Sequence, residues 1–489
     1  MQEYLWLNWL IMLGSIAGLL WLGWKSSATV HAGGDDESGF LIAGRSLGPF
    51  VGAATIVATG YSGWGFMGSP GVAYQYGAIE LLGNFMFAPA MVIAVLFFAR
   101  FLSKRAEEMH SCTIPEYAAR THADGMLGRW VQGVAAIMTI VLLLVFLTSQ
   151  IKAVGILAAG WLDLPEAWGA TLMIAIIIIY TVAGGLLAVA WTDALMLVGM
   201  VIAAIIICIQ IFGDIGPLQL VAALNDIQPV LVNPATAQPY GTTPAAVFMV
   251  LPYAFMFSAV LPYMAVRFLA FRPDVKLTTV AAYVAPFACI LSLIPIVGLY
   301  MRVQMPDLAE ADKAMPVYLE TFLHPALGGF ITLCILFAMQ STANSLLHTV
   351  ASAASHDMRL ALFPRHKNPA TVLFINRAAV VVLGLTGLLM MLFAPPFLLS
   401  WLGILGTGTL LAALVGPIFV ASFWRGNGWG ALASMISGFT VSGSMLLWTQ
   451  AGWVIGPLTG CLVATFFYVA VSLVTGGRFV PNPITAWNS

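Results

Sequence analysis

The chain of 489 residues is 61% apolar and only 8% charged, against roughly a quarter charged in an ordinary soluble domain, so it lacks the polar surface to coat itself in water. Its formal net charge of -1 comes with basic residues scattered singly or in small groups, which excludes nucleic acid as a partner and leaves the lipid bilayer as the main solvent. Five cysteines (Cys112, Cys208, Cys289, Cys334 and Cys461) are widely spaced and show no CxxC or Cys/His ligand pattern, so they read as small hydrophobes rather than disulfides or a metal cluster.

The first apolar run, Leu5 to Trp24, is long enough to span and has no small-residue cleavage site before Lys25; it reads as a retained helix and not a signal peptide. Further runs of about 20 mostly apolar residues follow, so that thirteen candidate spans centre near residues 15, 59, 90, 143, 175, 200, 257, 289, 340, 382, 410, 438 and 465. Cytoplasmic loops gather Lys and Arg. With the N-terminus outside and the C-terminus inside, sixteen of the nineteen basic residues fall on the inner side, Arg267, Arg365, Lys367 and Arg478 among them, and only Arg302 and Lys313 fall outside. The predicted class is an all-α polytopic membrane protein with one extra helix at 5–25, a first half at 48–213, a second half at 244–423 and two terminal helices at 427–476.

Gly or Pro interruptions in lipid are tolerated mainly where the chain lines a polar cavity. The second span carries Thr55, Thr59, Gly60, Ser62, Gly63 and Gly65 near its middle, and the seventh carries Pro252, Ser258 and Pro262. These spans are five helices apart, the pattern of two topologically inverted halves whose first members are both broken.

The strings Gly44-Arg45-Ser46-Leu47-Gly48, Ser62-Gly63-Trp64, Gly68-Ser69-Pro70-Gly71, Thr113-Ile114-Pro115-Glu116-Tyr117, Gly184-Gly185 with Trp191-Thr192-Asp193, and Ser341-Thr342 resemble, in order and spacing, those of the sodium:solute symporters. The resemblance covers nearly the whole chain. It implies the leucine-transporter fold, ten core helices in two inverted repeats, and sodium as the co-transported ion. It also implies a sodium site of oxygen ligands: the backbone carbonyls of Ala58, Tyr61 and Ala338 and the hydroxyls of Ser341 and Thr342, with Asp193 just inside the ion. Hard oxygen ligands suit a hard cation; on residue type alone, the two hydroxyls are equally compatible with bonding the preceding turn of their own helix. Gly60 stands where the proline-carrying branch has an acidic residue, a departure shared with pantothenate-type carriers.

The resemblance puts substrate beside the break. Trp64 and Gly65 follow it, Asn84 aligns with a substrate-contacting amide of the sialic acid branch, and Gln150 lies in the fourth span. Lys152 is the one basic residue deep in an apolar run. Three roles are open to it: binding a substrate carboxylate, pairing with Glu80, or reaching outward to the headgroups. Phe257 and Ser258 are candidates for a pocket wall at the second break, with plain packing as the alternative. The expected function is sodium-coupled import of a small carboxylate-bearing solute by alternating access. A proton-coupled carrier or a solute sensor on the same fold are the rivals, the sensor being less expected because the residues after the last span, 476–489, are too few for an output domain. No HExxH, GxSxG or Walker-type string occurs, so no enzyme is expected.

Overall fold

The computed structural model describes residues 4–32, 37–363, 368–393 and 399–476; Arg365, Lys367 and Arg478 of the loop-charge pattern lie outside them. The described chain is helical, with two isolated backbone bridges in place of a sheet. In chain order the helices are α1 (Leu5–Ala32), α2 (Glu37–Ile42), α3 (Pro49–Gly60), α4 (Ser69–Tyr76), α5 (Ile79–Phe85), α6 (Phe87–Ala94), α7 (Arg100–Glu108), α8 (Ile114–His122), α9 (Gly125–Leu162), α10 (Glu166–Asp214) and α11 (Pro217–Ile227). They continue as α12 (Val250–Val260), α13 (Pro262–Leu269), α14 (Leu277–Leu291), α15 (Ile296–Gln304), α16 (Ala314–Thr321), α17 (Pro325–Ser352), α18 (Met358–Leu362), α19 (Pro369–Phe393), α20 (Leu399–Leu414), α21 (Ala421–Phe423), α22 (Gly428–Trp448) and α23 (Ile455–Val474).

Among the described residues ten helices are long and apolar enough to cross a membrane, or eleven when the bent pair α12 and α13 counts as one span. The expected thirteen is not reached by this measure, for two local reasons. Gly185 adopts φ 54°, ψ -145° inside α10 and divides it into two helices; unbroken, 49 residues at 1.5 Å each would be more than twice the hydrocarbon thickness. A Cβ at that position would also meet the Phe40 carbonyl at 2.4 Å, so glycine is required twice over. Pro49–Gly60 is only twelve residues long and needs α4 beyond the break to complete a crossing.

The centre of the bundle is α17. Of its span's most apolar stretch 83% lies inside the protein, against 17% for α1, which is why its sequence tolerates Asn344, Ser345 and His348. It packs on α9, α10 and α3, while α1 lies against α10 at the periphery and α22 pairs with α23. The Thr113-Ile114-Pro115-Glu116 string is a helix start: the Thr113 hydroxyl accepts from the Glu116 N–H at 3.2 Å, and Glu116 Oε2 accepts from the Cys112 N–H at 2.8 Å. This satisfies donors that the first turn leaves free.

Candidate functional site

The first break opens at the end of α3, where Tyr61 leaves helical geometry (φ -92°, ψ 87°), and a single π-helical turn, Trp64–Gly68, leads into α4. Gly63 has a steric reason. Its N–H donates to Gln150 Oε1 of α9 at 2.9 Å, and a Cβ there would lie 2.8 Å from the same oxygen. Gln150, expected among the substrate contacts, thus satisfies an amide exposed by the unwinding. The second break falls at Leu261 (φ -65°, ψ 127°), where Pro262 withholds an N–H and the two halves meet at 58°.

At the first break the chain brings distant oxygens together. Ser341 Oγ donates to the Ala58 carbonyl at 2.9 Å and lies 3.0 Å from the Ala338 carbonyl; Thr342 Oγ1 donates to the Thr59 carbonyl at 3.0 Å and lies 3.4 Å from that of Ala338. Four of the expected residues, Ala58, Ala338, Ser341 and Thr342, therefore converge, and each hydroxyl also lies within reach of a carbonyl in the preceding turn of its own helix, the alternative bonding pattern. The Thr59 carbonyl, which the motif matching passed over, joins them. Tyr61 lies at the break itself, its phenol hydrogen-bonded to Ser292 Oγ at 2.6 Å.

Beneath this cluster lies a buried ion pair that the loop-charge pattern misplaces. Arg267, counted there as an inner-loop cation, is fully buried in α13 with Nη2 3.4 Å from Asp193 Oδ2, neither side chain exposed. Asp193 also accepts from Thr55 Oγ1 at 2.5 Å, Thr59 Oγ1 at 3.3 Å and Asn344 Nδ2 at 3.2 Å. Arg267 donates to the Thr55 carbonyl and hydroxyl at 3.2 and 2.9 Å, to Thr59 Oγ1 at 2.6 Å, and to the Tyr263 carbonyl and Ser345 Oγ. Two charges out of water demand this saturation of donors and acceptors. The sequence signal available was position: Arg267 stands five residues after Pro262, still within the apolar run, and Asn344 and Ser345 share the α17 face of Ser341.

On the substrate side, an aromatic chain links the two breaks. Trp64 meets Phe87 edge-on at 6.0 Å between centroids, Phe87 meets Phe257 at 5.8 Å, and Phe257 meets Tyr263 at 5.9 Å. Phe87 was not a sequence candidate, although it follows Asn84 by one turn. The Trp64 indole N–H is buried without an acceptor among the described residues. Gly65 is half-buried beside the Tyr61 ring. Asn84 donates to the Ser292 carbonyl at 3.3 Å, and the Ser258 hydroxyl bonds the Ala254 carbonyl of its own helix at 3.0 Å, so neither has its full polar capacity turned to a ligand. Lys152 is half-buried and does not pair with Glu80, which instead accepts from Ser69 and Tyr240. That outcome removes one of its three open roles.

The sodium:solute symporter family model matches residues 40–438. The chain belongs to this family. As a sodium:solute symporter it is a membrane carrier of small molecules with sodium as the co-transported ion. It is similar to the osmoregulated proline transporter OpuE of Bacillus subtilis, 25% identical over 94% of this chain and 92% of the relative. It is likewise similar to the sodium/pantothenate symporter of Haemophilus influenzae, 28% identical over 86% of each. Among solved structures, that of a Na+-coupled sialic acid symporter in a substrate-bound outward-open state superimposes with a TM-score of 0.79 over 97% of this chain and 98% of that one, at 17% identity; this likeness shows the leucine-transporter-type fold.

Proposed function

We propose that this symporter imports a small carboxylate-bearing metabolite, of the class to which proline and pantothenate belong, and that the ion binds where α3 meets α17. The observation that carries the reading is the convergence of the Ser341 and Thr342 hydroxyls on carbonyls of Ala58 and Thr59, 283 positions away in the chain. An ion there draws oxygens from both elements, so it stabilises the state in which they are joined. Ala58, Thr59, Ala338, Ser341 and Thr342 are its ligands in this reading. Asp193 is held by Arg267 one layer further in, where it orients Thr55 and Thr59.

The substrate sits between the two breaks, against Trp64, Phe87 and Phe257, with the free Trp64 N–H as donor and Lys152 as counter-charge. The repeats are 48–213 and 244–423, flanked by 5–25 and 427–476. With N-terminus out and C-terminus in, an inside-negative potential adds about 2.3 kcal/mol per charge per 100 mV to inward sodium movement, so uptake is the working direction. Coupling is a difference in solute affinity between sodium-bound and sodium-free states. Radiolabelled uptake into proteoliposomes across a panel of amino acids, monocarboxylates and pantothenate tests the reading. A carboxylate solute taken up only with an inward sodium gradient supports it; uptake indifferent to sodium, or confined to solutes without a carboxylate, overturns it.

A further inference from the structure

A groove of about 870 Å³ lies where the span ending in α7 meets the loop between α13 and α14. Five basic residues line it against three acidic ones. Arg105 pairs with Glu108 at 2.9 Å and Arg272 with Asp274 at 3.2 Å. Arg100, Lys104 and Lys276 are exposed and form no ion pair among the described residues, so three cations face the groove against the one remaining carboxylate, Glu107. Leu96, Phe101, Phe271 and Leu277 form an apolar wall beside them. One to two turns deeper on the same helices, Phe97 and Tyr283 are large and exposed, which puts hydrocarbon against that wall. A cationic rim above an apolar wall at the end of membrane helices matches the two halves of an anionic phospholipid, a phosphate and its acyl chains.

We propose that this groove is a binding site for the headgroup of an anionic phospholipid, held by Arg100, Lys104 and Lys276. The loop it engages is the base of the second broken helix and is stitched to the entry of the first: the Leu47 N–H donates to the Ala270 carbonyl at 3.0 Å and the Arg272 N–H to that of Leu47 at 3.1 Å. A bound headgroup therefore bridges α7 to the foot of both discontinuous helices.

The test uses the full-length protein in nanodiscs of phosphatidylcholine with a minor fraction of phosphatidylglycerol, reading by native mass spectrometry the phosphatidylglycerol retained per protein. Each basic side chain near an anionic lipid surface is worth about fivefold in affinity, so the Arg100→Gln/Lys104→Gln/Lys276→Gln variant is expected to retain it roughly a hundredfold more weakly. Glu107→Gln, which removes the unpaired acid, is expected to strengthen retention. All four side chains are exposed, and an unchanged melting temperature in detergent verifies that each variant is folded. Equal retention by the triple variant and the unaltered protein overturns the proposal, as does displacement of the lipid by soluble glycerol phosphate, which would make the groove a site for a free phosphate.

Discussion

Arg267 and Asp193 lie 3.4 Å apart with neither side chain exposed, joining α13, the second half of the second broken helix, to the middle of α10. Through Thr55 and Thr59 the same pair grips the end of the first broken helix, so it ties together the two broken helices. Removing one partner of such a pair leaves a buried charge without compensation and costs about 3–5 kcal/mol. Arg267→Gln and Asp193→Asn should each lower the thermal midpoint of the purified carrier sharply. The double variant should recover part of that loss, and a double variant no more stable than either single one would show that the two charges are not coupled.

Lys152 has no carboxylate partner among the described residues, and Glu80 is held elsewhere. If its role is to meet a substrate carboxylate, Lys152→Met should raise the apparent KM for the solute by roughly tenfold to a hundredfold, the 1.5–3 kcal/mol of a charged hydrogen bond, with sodium activation unchanged. An unaltered KM leaves only the reading in which the side chain reaches out to the headgroups.

Glu80 is buried and accepts from Tyr240, a residue of the connection between α11 and α12. Tyr240→Phe removes one donor from a buried carboxyl at a cost of about 1–3 kcal/mol. It should also release that connection, seen as faster proteolysis near residues 228–243 in the folded carrier.

Acid sensitivity follows from groups outside the spans. Burial holds His122 down to about 4, its Nε2 lying 2.6 Å from the Tyr468 hydroxyl and its Nδ1 2.7 Å from the Ala118 carbonyl. The unfolded chain binds a proton at this residue below about 6.5, which the folded protein refuses until about 4. The contribution is therefore intact above 6.5 and lost as pH falls through that window. Thermal midpoints of the unaltered protein should decline more steeply between pH 6.5 and 4 than those of His122→Gln. Glu37 and Glu116 resist burial, which alone would raise them, because His356 and neighbouring arginines hold both below the ordinary carboxylate value of 4.5. Their contribution is present above 4.5 and lost below it, so Glu37→Gln should flatten the acid limb there.

The sequence made legible the two breaks, which rest on local backbone chemistry. Gly63 and Pro262 mark where helices must part, whereas Gly185 at its positive-φ turn and Thr113 with Glu116 at their helix start stood in the sequence only as motif strings. Ser341 and Thr342 were legible through their motif. Residues whose meaning depends on which faces meet were not: Arg267 carries the same charge in a loop as in a core, and only the packing of α13 on α3 and α17 distinguishes the two. Phe87 and Tyr240 are aromatic residues in a chain that is 12% aromatic, and nothing local sets them apart. The bond from the Gly63 N–H to Gln150 was not legible for a related reason, since that amide is freed only by the unwinding.

The central claim is that sodium binds where Ser341 and Thr342 meet the end of α3. The most direct measurement is the sodium dependence of solute uptake into proteoliposomes for Ser341→Ala/Thr342→Ala beside the unaltered carrier, with circular dichroism verifying the fold. The double variant should need roughly tenfold or more sodium for half-maximal uptake, each tenfold corresponding to about 1.4 kcal/mol of lost ion binding. An unchanged sodium dependence in the folded double variant would contradict the account and place the ion elsewhere.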